Sequence, residues 1–299
     1  MHSKNRLCFI ETEAVFYSLL HLERGEDARA ALFHPVQQQR ADGRRHGGSE
    51  REIRRRAQIS AAQEVQPAER NGIKLIVGLY PGDYSKTNTA SPEKYNLNLE
   101  RNKMVFDELY EQFGNHPCLE GWYITEEFHD GSYPVGWQQE PSLSMLAKYL
   151  EGVASYIKTK SDKPVSIAPA LWRGMPADLC GQWFGRIFAQ TPNIDYLYLQ
   201  DLGGRCLVDV DVDLPNWFAE IKKACDANGV HFGVDIESFQ SCWCPNVPYR
   251  EKNWSELKEQ LFVAGLFTEY ITNFSWVTFK KGTNNYTSYK KYLEDNGLL

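Results

Sequence analysis

The sequence of this 299-residue chain predicts an α/β fold, a (β/α)8 TIM barrel whose first one or two strands are missing or garbled at the N-terminus. Three observations lead to this prediction. After Asn71, short apolar runs alternate with amphipathic helical stretches. Most of the runs are nearly continuously hydrophobic, as parallel strands covered on both faces require. Their starts lie roughly thirty to forty-five residues apart, the length of a βα unit with generous loops.

Six apolar runs fit strands of such a barrel. They are IKLIVGLY (73–80), LEGWYIT (119–125), PVSIAPAL (164–171), IDYLYLQ (194–200), HFGVDIE (231–237) and EYITNFSW (269–276). If two strands precede these six, the runs at 73–80, 119–125 and 231–237 become strands three, four and seven. A doubly wound open sheet is the alternative. Against it, no run is followed by a Gly-rich phosphate loop.

Helical patterns lie between the runs. After Ser142, which suits the N-cap position, apolar residues recur at steps of three and four from Leu143 to Ile157. A second pattern begins at Asn216 and stops at Gly229, and glycine is the usual residue just past the end of a helix. These stretches predict the helices that cover the sheet.

Residues 1–68 differ in composition from residues 69–299, the predicted barrel domain. Eleven of the sixteen arginines lie at or before Arg70, whereas only one of the seventeen lysines, Lys4, does. A basic or disordered arm is one interpretation of this segment. We favour the hypothesis that part of it is frame-shifted or mis-started, since such an error produces an abrupt change in Arg:Lys usage.

Composition excludes several classes of partner. The net charge of −6 provides no basic field, so no nucleic-acid partner is predicted. The sequence has no run of eighteen apolar residues, so no membrane span is predicted. The apolar stretch from Ala14 to Leu22 is flanked by acids and is not predicted to be a signal peptide.

The seven cysteines do not suggest a disulfide framework, and Cys242 with Cys244 is only half of a zinc site.

The catalytic prediction rests on the strand ends, because catalytic residues of a (β/α)8 barrel come from the carboxyl ends of its strands. Hydrolysis of a glycosidic bond needs one carboxyl group to protonate the leaving oxygen and a second to attack the anomeric carbon. Strands four and seven lie nearly opposite across the barrel. We predict Glu127 as acid/base and Glu237 as nucleophile. Glu126 is the adjacent competitor of Glu127, since neighbouring residues point opposite ways and only one can face the mouth.

Other polar and aromatic groups near the strand ends suit the binding of a polyol. The predicted substrate-binding residues are Tyr80, Trp122, Glu126, Trp172, Gln200, Asp201, Trp243 and Trp276. The four tryptophans are candidate platforms for a sugar ring, where stacking is mostly dispersion and apolar burial.

Several alternatives stay open for these residues. Strand-end acids often cap the next helix or pair with a basic side chain. Gln200 and Asp201 could simply make the turn into Gly203–Gly204. His129 with Asp130 and the glutamates could hold a metal, although their spacing matches no defined metal motif, and we predict neither a metal nor another cofactor.

The stretches NGIKLIVGL, GWYITEEF, PVSIAPA, IDYLYLQDLGG and FGVDIESF follow one another over residues 69–280. With them, the chain resembles a family of bacterial glycoside-hydrolase-like TIM barrels, common in Bacteroidetes and catalogued as a domain of unknown function. The resemblance implies a barrel related to retaining glycosidases, with Glu127 and Glu237 at the glutamates after strands four and seven, but it implies no particular substrate. The carbohydrate partner is predicted from the polar and aromatic residues at the strand ends. Its members are often exported. The sequence departs from the family pattern before residue 69.

Two functions follow as hypotheses. The first is an enzyme that hydrolyses a glycosidic bond with Glu127 and Glu237. The second is a non-catalytic, carbohydrate-binding or inactive barrel, in which the acids only hydrogen-bond sugar hydroxyls. The separation of the two carboxyl groups discriminates between them: about 5–5.5 Å supports retention, a wider gap of roughly 7–9 Å inversion, and a much larger one binding.

Overall fold

The computed structural model describes residues 6–7, 10–11, 30–33, 65, 68–80, 91–129, 140–171, 175–204, 208–241, 250–274 and 278–298, with side chains from residue 65 onward. The strands are β1 (Arg6–Leu7), β2 (Ile10–Glu11), β3 (Ala30–Phe33), β4 (Lys74–Gly78), β5 (Leu119–Ile124), β6 (Val165–Ile167), β7 (Tyr196–Gln200), β8 (His231–Glu237), β9 (Phe239–Gln240), β10 (Arg250–Glu251) and β11 (Tyr270–Phe274). The helices are α1 (Pro92–Phe113), α2 (Ser142–Lys158), α3 (Ala177–Phe188), α4 (Asp213–Asn228), α5 (Trp254–Gly265) and α6 (Asn284–Asp295).

Nine of these strands form one sheet in the order β1-β11-β8-β7-β6-β5-β4-β3-β2. All its neighbouring strands pair in parallel. The two ends of this order, β1 and β2, are separated in the chain by only two residues. The sheet therefore curves back towards itself, as the strands of a barrel do. Strands β9 and β10 form a separate antiparallel pair.

The architecture is a partial (β/α)8 barrel, as the sequence predicted. Helices alternate with the strands from β4 onward. Strands β1 and β2 occupy the first barrel position, and β3 occupies the second. Each of these strands is only two to four residues long. Strand β5 therefore occupies position four, and β8 occupies position seven. The boundary between residues 68 and 69 stays a prediction, and most of the Arg-rich segment lies outside the described residues.

The helices begin and end where local chemistry favours it. The Ser91 side chain accepts a hydrogen bond from the Lys94 N–H at 3.1 Å and caps α1. Helix α2 starts at Ser142 itself, with Pro141 at the N-cap position, so the prediction of a Ser142 cap is wrong by one residue. Helix α4 ends at Gly229, whose φ of 73° is the left-handed conformation that glycine adopts without strain.

The core has two layers. The larger layer lies between the sheet and the helices and contains most of the buried apolar residues. The smaller one fills the barrel interior and is unusually rich in tyrosine, with Ile76, Tyr123, Ala168 and Tyr198 at its centre. Within the described part of the chain, no helix is long and apolar enough to cross a membrane.

Candidate active site

The alternation of side chains along a strand decides which residues reach the barrel mouth. On β8, Phe232, Val234 and Ile236 belong to the apolar layer that faces the helices. Asp235 and Glu237, at the alternate positions, therefore face the barrel interior at the carboxyl end of the strand. This end of the barrel is where catalytic groups are found in this fold.

Glu237 is the last residue of β8, and only 5% of its surface is exposed. Its backbone N–H donates to Asp201 Oδ1 at 3.0 Å. Gly204 lies against its side chain, because a Cβ atom at residue 204 would stand 2.7 Å from the Glu237 Cβ and 3.0 Å from its Oε2. The backbone and the side chain of Glu237 are therefore both held by residues that follow β7.

Glu126 and Glu127 follow β5 and serve different purposes. The Glu126 carboxylate is buried, pairs with Lys94 Nζ at 2.7 Å and accepts from Asn98 Nδ2 at 3.3 Å. Both partners lie on α1, so Glu126 faces the helices, and the prediction that it binds substrate is corrected. Glu127 is half-buried and lies close enough to Asp235 for its charge to raise the pKa of that carboxyl.

Asp235 is a residue of the mouth that the sequence analysis missed. Burial raises its pKa well above the usual value, the hydrogen bond from Thr272 Oγ1 at 2.9 Å partly opposes this, and the charges of Asp201, Glu237 and Glu127 raise the pKa further. The carboxyl of Asp235 therefore keeps its proton at higher pH than a free aspartic acid. A signal was available, since Asp235 precedes Glu237 by two positions and so shares its face of the strand.

Asp201 lies behind the mouth and not in it. The residue is 0% exposed, and its Oδ1 accepts from the N–H groups of Glu237 at 3.0 Å and Gly203 at 3.1 Å, while Gln260 Nε2 donates to Oδ2. Burial raises the pKa of Asp201, and the hydrogen bonds from Gln260 and the Glu237 amide partly oppose this. The prediction of direct sugar binding is corrected, because protein donors occupy both carboxylate oxygens.

Two of the predicted aromatic binding residues also face the helices. Trp122 is 0% exposed, its ring meets Phe106 edge-on at 4.8 Å, and its Nε1 donates to Ser161 Oγ at 3.1 Å. Tyr80 is buried, and its hydroxyl accepts from Arg101 at 2.7 Å. Both are corrected to core residues, since a strand buried on both faces carries aromatic side chains on its outer as well as its inner face.

Gln200 ends β7 at an inward position. Its Nε2 donates at 2.9 Å to the carbonyl of Ala168, the residue that follows β6. The side chain is half-buried. Gln200 thus keeps its place among the candidate substrate-binding residues.

The remaining predicted site residues lie outside the part of the chain that the structure describes. They are Trp172, Trp243 and Trp276, together with Asp130, Cys242 and Cys244. Among the described residues, no group of three or more His, Cys, Asp or Glu side chains could hold a metal ion.

Comparison of the sequence with protein families gives one match. The family described as "Domain of unknown function (DUF4434)" matches residues 50–285, which is most of the chain. No curated protein sequence matches the chain.

Solved structures resemble the fold at low sequence identity. A protein of Bacteroides thetaiotaomicron VPI-5482 described as a "putative alpha-L-fucosidase" has a TM-score of 0.66 at 16% identity, over 98% of this chain and 93% of the other. The endoglucanase Cel5A of Pseudomonas stutzeri has a TM-score of 0.52 at 14% identity, over 91% and 83%. A GH18 chitinase of Pseudoalteromonas aurantia has a TM-score of 0.50 at 13% identity, over 78% and 81%. The barrel fold is thus one that glycoside hydrolases share.

Proposed function

The chain belongs to the DUF4434 family, and we propose that it is a glycoside hydrolase that cleaves a glycosidic bond with two carboxyl groups, by retention of configuration. The observation that carries the proposal is the placement of Glu127 and Glu237 at the carboxyl ends of β5 and β8, which lie three strands apart in the order of the sheet. These two glutamates come from barrel positions four and seven, and the charges of both act on the same buried carboxyl. Side chains from nearly opposite strands can flank a bond that lies over the mouth.

The proposed roles follow from the chemistry of such a pair. Glu127 in its protonated form donates a proton to the oxygen of the leaving group. The Glu237 carboxylate attacks the anomeric carbon and forms a covalent glycosyl-enzyme, with loss of the leaving group. Glu127, now ionised, removes a proton from water, which attacks the anomeric carbon and returns Glu237 to its carboxylate form.

The positions of the neighbouring acids support this division of labour. Glu126 is ion-paired with Lys94 on the helix side and takes no part in the mouth. Asp201 supports the backbone of Glu237. Glu126 and Asp201 are thus engaged in structural contacts, and Glu127 and Glu237 are the proposed pair for the reaction. Gln200, Trp172, Trp243 and Trp276 are the proposed contacts of the sugar.

The experiment that tests the function is sugar release from a panel of aryl glycosides and oligosaccharides that includes fucosides, β-glucans and chitooligosaccharides. We expect the wild type to release sugar from at least one of them, and Glu127→Gln and Glu237→Gln to lose roughly a thousandfold or more of that rate. Glu100→Gln is the matched control, because Glu100 is an exposed acid on α1 that pairs with Lys103.

Two outcomes would contradict the proposal. Equal rates for the wild type and Glu237→Gln would remove the proposed nucleophile. Binding of an oligosaccharide in calorimetry, without any release of sugar by the wild type, would instead favour a carbohydrate-binding barrel.

A further inference from the structure

The turn formed by residues Asp201 to Gly204, at the carboxyl end of β7, is bonded to the end of β8. One oxygen of Asp201, Oδ1, accepts from the Glu237 N–H at 3.0 Å and from the Gly203 N–H at 3.1 Å. The other oxygen accepts from Gln260 Nε2 on α5. The buried carboxylate therefore fixes the shape of its own turn and the position of the Glu237 backbone with the same atoms.

The backbone of this turn is strained. Leu202 has a φ of 54°, the only non-glycine residue with positive φ in the described part of the chain, and it is almost fully buried. Leucine is disfavoured in this left-handed region, and such strain persists only where the surroundings impose it. The hydrogen bonds of Asp201 supply that constraint.

The two glycines of the turn leave room for its neighbours. A Cβ atom at Gly203 would stand 2.2 Å from Gln260 Nε2. At Gly204 it would stand 2.5 Å from the Phe239 carbonyl oxygen and 2.7 Å from the Glu237 Cβ. Real Cβ atoms do not approach so closely, so only glycine at residue 204 lets the Glu237 side chain stay where it is.

The carbonyl oxygens of the turn are also anchored. Lys252 Nζ, which is buried, donates to the Gly203 carbonyl at 2.7 Å, and the Ser241 N–H donates to the Gly204 carbonyl at 2.9 Å. The turn therefore cannot shift without breaking bonds to the segment that follows β8.

We propose that Asp201 is a positioning residue for Glu237, and that the Asp201–Gly204 turn sets the place of the Glu237 carboxyl in the barrel mouth. This inference rests on the proposed function for its catalytic consequence, but the placement itself is a property of the fold. A displacement of about 1 Å in a reacting group can lower a rate about a hundredfold.

The test uses two variants of the full chain with matched controls. Asp201→Asn keeps the size of the side chain but replaces one acceptor oxygen by an NH2 group. Whichever way the amide is turned, this group faces the Gln260 amide or the two backbone N–H groups. Gly204→Ala adds the Cβ atom that would meet Glu237. The controls are Asp226→Asn on the exposed end of α4, and Gly265→Ala, where an added Cβ meets nothing within 4 Å.

Crystal structures of the variants give the first readout, which needs no substrate. We expect the Glu237 carboxyl to be displaced by about 1 Å in Asp201→Asn and in Gly204→Ala, with the barrel otherwise unchanged and the controls superimposing on the wild type. An undisplaced Glu237 in either variant would overturn the inference, whatever the activity of the chain.

Kinetics on any substrate found give the second readout. We expect kcat to fall about a hundredfold in Asp201→Asn with KM nearly unchanged, because the sugar contacts stay in place. Wild-type kcat in this variant, or a rise in KM alone, would overturn the inference. A different result, wild-type activity in Glu237→Gln, would contradict the proposed function.

Discussion

Glu126 and Glu127 are neighbours in the chain, yet their carboxyl groups lie on opposite sides of the sheet. Glu126 is bound by Lys94 Nζ at 2.7 Å on the helix side, whereas the charge of Glu127 acts on Asp235 in the barrel mouth. This divergence separates a structural acid from a candidate catalytic acid.

Replacement of Glu126 is expected to affect stability and not chemistry. In Glu126→Gln the ion pair with Lys94 is lost while the side chain stays buried, which should lower the free energy of unfolding by about 1–3 kcal/mol. Urea unfolding measures this loss, and sugar release per folded molecule should stay within about twofold of the wild type. A Glu126→Gln enzyme of normal stability that has lost its kcat would show that the roles of the two glutamates are exchanged.

The stability of the fold should depend on the protonation of Asp235. Because the folded chain holds this carboxyl's pKa well above the usual 3.8, the unfolded chain releases the proton first as the pH rises. The folded state then binds more protons than the unfolded state, so this contribution to stability is full below pH 3.8 and is lost as the pH rises through the raised value.

The variant Asp235→Asn tests this linkage. Asparagine keeps an acceptor for Thr272 Oγ1 but cannot ionise, so the variant should gain stability relative to the wild type as the pH is raised from about 4 to about 7. Urea unfolding across that range measures the difference. Parallel curves for the two proteins at every pH would contradict the assignment of a raised pKa.

Packing in the barrel interior predicts a glycine whose replacement destabilises the fold. A Cβ atom at Gly233 would stand 2.6 Å from Tyr198 Cδ1 and 2.8 Å from the Tyr270 carbonyl oxygen, which belongs to a paired strand. Gly233→Ala should therefore lower the free energy of unfolding by about 1–3 kcal/mol. Gly265→Ala, in open space at the end of α5, should be neutral or slightly stabilising, and equal losses in both variants would refute the packing argument.

The apolar runs predicted the order of the strands well because parallel strands buried on both faces need continuous hydrophobic residues. Their ends were predicted less well. The run at 164–171 yields only Val165–Ile167, and Pro169, which has no N–H for a ladder, follows two residues later.

The sequence did not show which face of the sheet each aromatic side chain points to. In a strand buried on both faces, a tryptophan such as Trp122 suits the helix side as well as the barrel interior, so composition does not show which way it points. Asp235 was overlooked for a different reason: it stands as a single polar residue inside a core strand, although its spacing of two from Glu237 places both on one face. Asp201 was misassigned because its role depends on Gln260, which lies 59 residues later in the chain.

A direct measurement of the central claim is the mass of the protein after reaction with a panel of activated 2-deoxy-2-fluoro glycosides, which slow the breakdown of a glycosyl-enzyme. The account predicts the addition of one sugar to the peptide that contains Glu237, in the wild type and in Glu100→Gln, and no addition in Glu237→Gln. A sugar attached to a different residue, or turnover of these glycosides at the wild-type rate by Glu237→Gln, would contradict it.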